Sequence, residues 1–105
     1  MAKFTLFVDI QEGFEDDTLI VKVNGNEVFM RERIRTKLLR GPAASFSSVI
    51  NEGLAKLEAV VLNRNLQDSH EFQVNSDIYI GISIIEPDGQ EKIRFITSDH
   101  PFGYL

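Results

Sequence analysis

The chain has no cysteine and no tryptophan among its 105 residues. The missing cysteines exclude disulfide bonds, thiolate metal sites and a cysteine nucleophile together. The missing tryptophan weakens a carbohydrate-binding function, because sugar platforms depend on large exposed rings. The domain therefore has to fold on its hydrophobic core, without covalent cross-links.

Long apolar runs are missing as well. No stretch approaches the roughly 20 apolar residues that a membrane-spanning helix needs. The N-terminal sequence MAKFTLFVDI is interrupted by Asp9, and no small-residue cleavage site follows it, which argues against a secretory signal. We therefore expect a cytoplasmic protein without a membrane partner.

Motifs for catalysis and for cofactors are also absent. There is no Gly-rich phosphate loop and no G-x-S-x-G turn. Ser98, Asp99 and His100 are the residue types of a catalytic relay, but three adjacent residues cannot converge as a triad does. The two histidines, His70 and His100, make a poor zinc set without cysteine. We expect neither enzymatic activity nor a bound cofactor.

What the sequence does contain is two-residue alternation of apolar and polar side chains. Residues 4–10 and 18–23 alternate, and Asn24-Gly25 follows directly. Asn-Gly beside alternating runs predicts a hairpin, because both residues tolerate the positive φ of a type I′ turn. In the last third, the β-branched run 78–85 predicts a buried strand, in which Gly81 indicates a bulge or a close backbone approach.

The segment 46–62 fits two structures. Ile50, Leu54, Leu57 and Val61 are spaced as one face of a helix. Asn51-Glu52-Gly53, however, is a typical turn sequence, and the residues after it also alternate as a strand. We favour strand–turn–strand, with one helix within 46–62 and an α+β fold as the alternative.

Together these patterns predict a single all-β domain over residues 1–105. About seven short strands at near-regular spacing, with turn sequences between them, are typical of a β-sandwich of immunoglobulin-like architecture. The size of the chain leaves no room for a second core.

The sharpest surface feature is a basic segment, RERIRTKLLR, at residues 31–40. Its five basic residues against Glu32 alone give +4, so the rest of the chain sums to −9 out of a formal −5. On a strand, four of these cations share one face and could bind an acidic partner surface: Arg31, Arg33, Arg35 and Lys37. Alternatively, they guard an exposed edge strand or pair with the chain's own carboxylates. The acidic remainder and the lack of interleaved aromatics argue against nucleic acid.

The C-terminal tail, HPFGYL, ends on Phe102, Tyr104 and Leu105, spaced by proline and glycine. Either the tail folds back on the sandwich and buries its rings, or it docks on another protein or a second subunit. Both alternatives require that the tail be ordered by a contact.

An acidic loop offers a second class of function. Glu12, Glu15, Asp16 and Asp17 are weak candidates for calcium ligands, although they lack the spacing of a known calcium loop. With an exposed Phe14, or with Tyr79 on a sheet face, the domain could instead bind a carbohydrate. The prediction from sequence is a non-catalytic module that binds a protein, or itself, through the basic strand and the aromatic tail, with ligand binding at the Glu12–Asp17 loop as the alternative.

Overall fold

The computed structural model describes residues 2–36 and 41–104. Within these ranges the chain forms eight strands in two four-stranded sheets. Sheet 1 has the order β4-β1-β7-β8 and sheet 2 the order β3-β2-β5-β6. The strands are β1 (Lys3–Ile10), β2 (Glu15–Val23), β3 (Asn26–Arg35), β4 (Ala44–Asn51), β5 (Gly53–Val61), β6 (Leu66–Val74), β7 (Ile78–Ile85) and β8 (Lys92–Ser98).

The predicted all-β sandwich is confirmed, with eight strands in place of about seven. The two sheets bury one shared hydrophobic core, to which both contribute alternate residues, such as Leu6 and Val8 from β1 and Leu19 and Val21 from β2. Burial of this apolar surface is the main force that holds the sheets together. The immunoglobulin-like arrangement of the strands remains a prediction.

The hairpin turn predicted at Asn24-Gly25 lies where the sequence places it. Asn24 and Gly25 join β2 to β3 with φ angles of 50° and 85°, as the hairpin requires. Pro87, Asp88 and Gly89 form a tight turn between β7 and β8, in which Asp88 has a left-handed φ of 53°. A single 3-10 turn lies at Leu62–Arg64, and no helix of the described residues is long and apolar enough to cross a bilayer.

The segment 46–62 is strand–turn–strand, and the helical alternative is wrong. β4 ends at Asn51 and β5 begins at Gly53, whose φ of 120° turns the chain from sheet 1 into sheet 2. In β5 the side chains of Ala55, Leu57 and Ala59 are buried, with more exposed residues between them. Burial with a period of two therefore outweighs the helical propensity of these residues.

A pair of stacked rings lies at each side of the sandwich, where the edge strands of the two sheets face each other. Between β3 and β4, the rings of Phe29 and Phe46 stack with centroids 4.5 Å apart. Between β6 and β8, the ring of His70 stacks on Phe95 at 5.6 Å, and its Nε2 lies 2.9 Å from Thr97 Oγ1. Each stack joins the edge strands of the two sheets.

Candidate functional site

The basic strand does not present all its arginines on one face. Leu19 lies opposite Arg31 and Asp17 lies opposite Ile34, so two steps along β2 correspond to three along β3. The extra residue is a β-bulge, in which Arg33 has a φ of 59°.

This bulge overturns the predicted shared face for Arg31. An inserted residue reverses the alternation of side chains, so Arg31 lies on the inward side with Phe29. Its guanidinium carbon lies 5.6 Å from the Phe29 ring centroid, a cation–π contact at the open side of the sandwich. Met30 and the buried Ile34 would share a face of a regular strand, but across the bulge Met30 is 48% exposed on the other side.

Arg33 and Arg35 are exposed on either side of the buried Ile34. Neither forms a salt bridge with any carboxylate in residues 2–36 or 41–104. Arg35 also lines an open pocket of about 320 Å³ with Glu15 and Asp16. Lys37, the fourth predicted cation, lies outside the described residues.

The C-terminal tail contacts the outer face of sheet 1. The Tyr104 hydroxyl donates a hydrogen bond of 2.6 Å to Asp9 Oδ2 and accepts one of 3.2 Å from Gln11 Nε2. The Gln11 side chain lies over Gly81, where a Cβ would overlap it. The close neighbour of Gly81 is therefore a side chain, and not the bulge or the backbone approach that the sequence predicts.

The tail and the basic strand are therefore two separate surfaces. Tyr104 is bound beside β1, an inner strand of sheet 1, whereas the arginines lie on β3 at the edge of sheet 2. Phe102 is half-buried, and Leu105 lies outside the described residues. Burial raises the pKa of the Tyr104 hydroxyl to about 12, and the hydrogen bond to the Asp9 carboxylate adds to the effect.

The acidic loop is not an assembled metal site. Asp17 is fully buried and accepts hydrogen bonds from the Glu15 amide at 2.7 Å, from Asn63 at 2.6 Å and from Arg64 at 2.8 and 2.9 Å. In the described part of the chain no three histidine, aspartate or glutamate side chains converge as metal ligands.

Glu12, Glu15 and Asp16 are the other three calcium candidates. The Glu12 amide donates a 3.2 Å hydrogen bond to Ser83 Oγ, Glu15 lies opposite Arg35, and Asp16 occupies a bulge with a φ of 60°. The expected exposure of Phe14 is wrong, because this ring is 1% exposed and belongs to the core.

The electrostatics of Asp17 follow from its partners. Burial alone would raise the pKa of this carboxyl, but the hydrogen bonds from Arg64, the Glu15 amide and Asn63 outweigh burial and lower the pKa below its usual value. Asp17 in turn raises the pKa of Arg64. The pair is therefore ionised, and its charges are already matched within the fold.

The histidines do not form a relay with serine. Ser98 Oγ donates a 2.8 Å hydrogen bond to the backbone carbonyl of His100, while His100 Nδ1 lies 2.7 Å from Asp99 Oδ1. The His100 hydrogen bond lowers the pKa of the Asp99 carboxyl. These are contacts between near neighbours at the surface, so they do not assemble a nucleophile and a base.

Sequence reasoning missed two features of the molecule. The first feature is the set of hydrogen bonds from Asn63 and Arg64 to Asp17. These two residues follow an apolar strand without any motif, and nothing in the sequence links them to Asp17. The second feature, the charge-free edge strand β4, was visible as the absence of charged residues between positions 41 and 51.

Comparison of the chain with family models, with curated proteins and with solved structures finds no match.

Proposed function

We propose that the chain is a non-catalytic interaction module that binds an acidic partner protein through the arginines of β3. The observation that carries this proposal is the exposure of Arg33 and Arg35 without a salt bridge to any described carboxylate. The chain has 16 acidic residues, so arginines whose only role was to stabilise the fold would have had many carboxylates with which to form salt bridges.

The expected partner is a carboxylate-rich protein segment. A guanidinium binds a carboxylate through two parallel hydrogen bonds, and Arg33 and Arg35 lie two residues apart on β3, so neighbouring carboxylates of one partner segment can reach both side chains. Nucleic acid is a poorer fit, because the acidic remainder of the chain repels a phosphate backbone. The C-terminal tail stays outside the proposal, since Tyr104 is bound to Asp9 of its own chain.

The proposal is tested with a labelled poly-glutamate peptide as the probe, by fluorescence anisotropy at low and at raised salt. The double variant Arg33→Asp/Arg35→Glu reverses both charges, and aspartate tolerates the left-handed backbone at position 33. We expect this variant to bind the peptide at least about tenfold more weakly. Binding by the unmodified chain should weaken as salt rises.

The matched control is Lys92→Glu/Arg94→Glu on β8. It makes the same change in charge at two exposed residues of an edge strand of the other sheet. We expect this control to retain most of the binding. No binding by the unmodified chain, or equal losses in the two double variants, would contradict the proposal.

A further inference from the structure

The four edge strands of the sandwich differ in how they are protected against pairing. β3 carries five charged residues and three register shifts. β6 carries Asp68 and Glu71, and β8 carries Lys92 and Arg94. Charges and bulges of this kind prevent an edge from pairing with another strand.

β4 has none of these protections. Its sequence, ASFSSVIN, contains no charged residue and no proline, and its eight residues pair with β1 without a register shift. No described strand pairs with its other edge. The outer-face side chains of β4 are all exposed, and Val49 is 69% exposed.

The hydrogen-bonding pattern shows which backbone groups of β4 face outward. The Glu52 amide donates to the Ala2 carbonyl in the continuation of the β1–β4 register. The Thr5 amide, opposite Val49, instead donates to Asp77 Oδ1. Hydrogen-bonded and non-hydrogen-bonded pairs alternate between antiparallel strands, so the even-numbered residues of β4 bond to β1. The odd-numbered residues direct their backbone N–H and C=O groups to the open edge. These residues are Ser45, Ser47, Val49 and Asn51.

We propose that β4 is a dimerisation edge, at which a second copy of this chain adds its own β4 in antiparallel orientation. With a two-fold axis at Ser48, Ser45 of one copy lies opposite Asn51 of the other, and Ser47 lies opposite Val49. Every outward backbone group of the strand then has a partner. On the inner face, Phe46 lies opposite Ile50, a favourable aromatic and β-branched pair.

The β4 strand of a second copy fits this edge better than the other edge strands, β3, β6 and β8, would. Both β4 strands are neutral, so pairing them places no like charges opposite each other, although each chain carries −5. β3, β6 and β8 would each bring charges to the junction. Each chain has one β4, so the assembly closes as a dimer joined through one continuous eight-stranded sheet.

The test is light scattering after size exclusion, from low micromolar to near-millimolar protein, on the full chain and on Val49→Lys. A lysine in the middle of the paired edge should weaken dimerisation at least about tenfold. The matched control is Leu54→Lys, because Leu54 is also 69% exposed but lies on β5, an inner strand. This control should remain dimeric.

A second measurement tests the register. The chain has no cysteine, so a mixture of Ser45→Cys and Asn51→Cys should form a disulfide-linked dimer, because opposed Cα atoms about 5.5 Å apart suit a disulfide. Ser45→Cys alone should not cross-link. A monomer at every concentration, equal effects of the two lysine variants, or a dimer without the mixed cross-link would each overturn the proposal. The Arg33→Asp/Arg35→Glu variant should still dimerise, which separates this inference from the proposed function.

Discussion

Asp17 and Arg64 form a bidentate ion pair inside the sandwich, although they are 47 positions apart in the chain. The same guanidinium donates to the carbonyl of Gly13 and bonds to Glu91. Arg64 therefore connects Asp17 of β2, in sheet 2, to the loop that crosses from β1 to β2 and to the loop between β7 and β8 of sheet 1. The Arg64 side chain thus links the two sheets by hydrogen bonds at one end of the molecule.

Removal of the buried carboxylate should be costly. We expect Asp17→Ala to lower the free energy of unfolding by roughly 3–5 kcal/mol, because Arg64 loses its buried counter-charge. Urea denaturation followed by circular dichroism measures the loss. The control is Glu91→Gln, which removes the exposed partner of Arg64 and should cost about 1 kcal/mol or less. Equal losses in the two variants would show that the buried pair has no special role.

The Asp17 carboxylate should make the free energy of unfolding depend on pH in the acid range. The pKa of Asp17 is lowered in the folded chain from its ordinary 3.8, so its contribution is fully present above about pH 4 and is lost as the pH falls through the folded value. We expect the difference in unfolding free energy between the unmodified chain and Asp17→Asn to shrink below pH 4. Urea denaturation over a pH series measures this difference. A difference that stays constant down to pH 2 would contradict the assignment.

The strands and turns were predictable because their causes are local. Alternation of apolar residues and the Asn24-Gly25 pair act over a few positions, and the structure contains the hairpin they predict. The bulges at Asp16 and Arg33 were not predictable, because both place a residue other than glycine at positive φ. For that reason the basic face derived from simple alternation failed at Arg31.

The contacts of the candidate sites were beyond sequence reasoning because they join distant parts of the chain. Tyr104 and Asp9 are 95 positions apart, and no periodicity relates a tail to a strand at the other end. The calcium interpretation of Asp17 failed for the same reason, since the sequence does not reveal that Arg64 occupies this carboxylate.

Gly13 should tolerate substitution less well than the other turn glycines. Its φ is 87°, and a Cβ at this position would overlap the backbone carbonyl of Ile84. Gly53, with a φ of 120°, has no neighbouring atom within 4 Å of the place a Cβ would take, so it shares the backbone strain without the overlap. We expect Gly53→Ala to cost about 1 kcal/mol and Gly13→Ala clearly more, as measured by urea denaturation. Similar costs would mean that the approach of Ile84 to Gly13 is not rigid.

The contact between Tyr104 and Asp9 should be visible in a phenol titration. The chain has two tyrosines and no tryptophan, so Tyr79→Phe leaves Tyr104 as the single phenol. We expect its ultraviolet titration to have a midpoint at about 12, compared with an ordinary 10.0. Since the folded pKa is raised, the tail contact stabilises the fold below pH 10 and loses this contribution as the pH rises through 12.

Asp9→Asn in the Tyr79→Phe background measures the smaller contribution, that of the Asp9 carboxylate. The amide cannot repel a phenolate as the carboxylate does, so the Tyr104 midpoint should fall below 12, whereas burial, the larger cause, should keep it above 10. Circular dichroism over the same pH range ensures that the readings come from folded protein. A midpoint near 10 before the Asp9 change would show that Tyr104 does not rest on β1, and the tail would then be free to dock elsewhere.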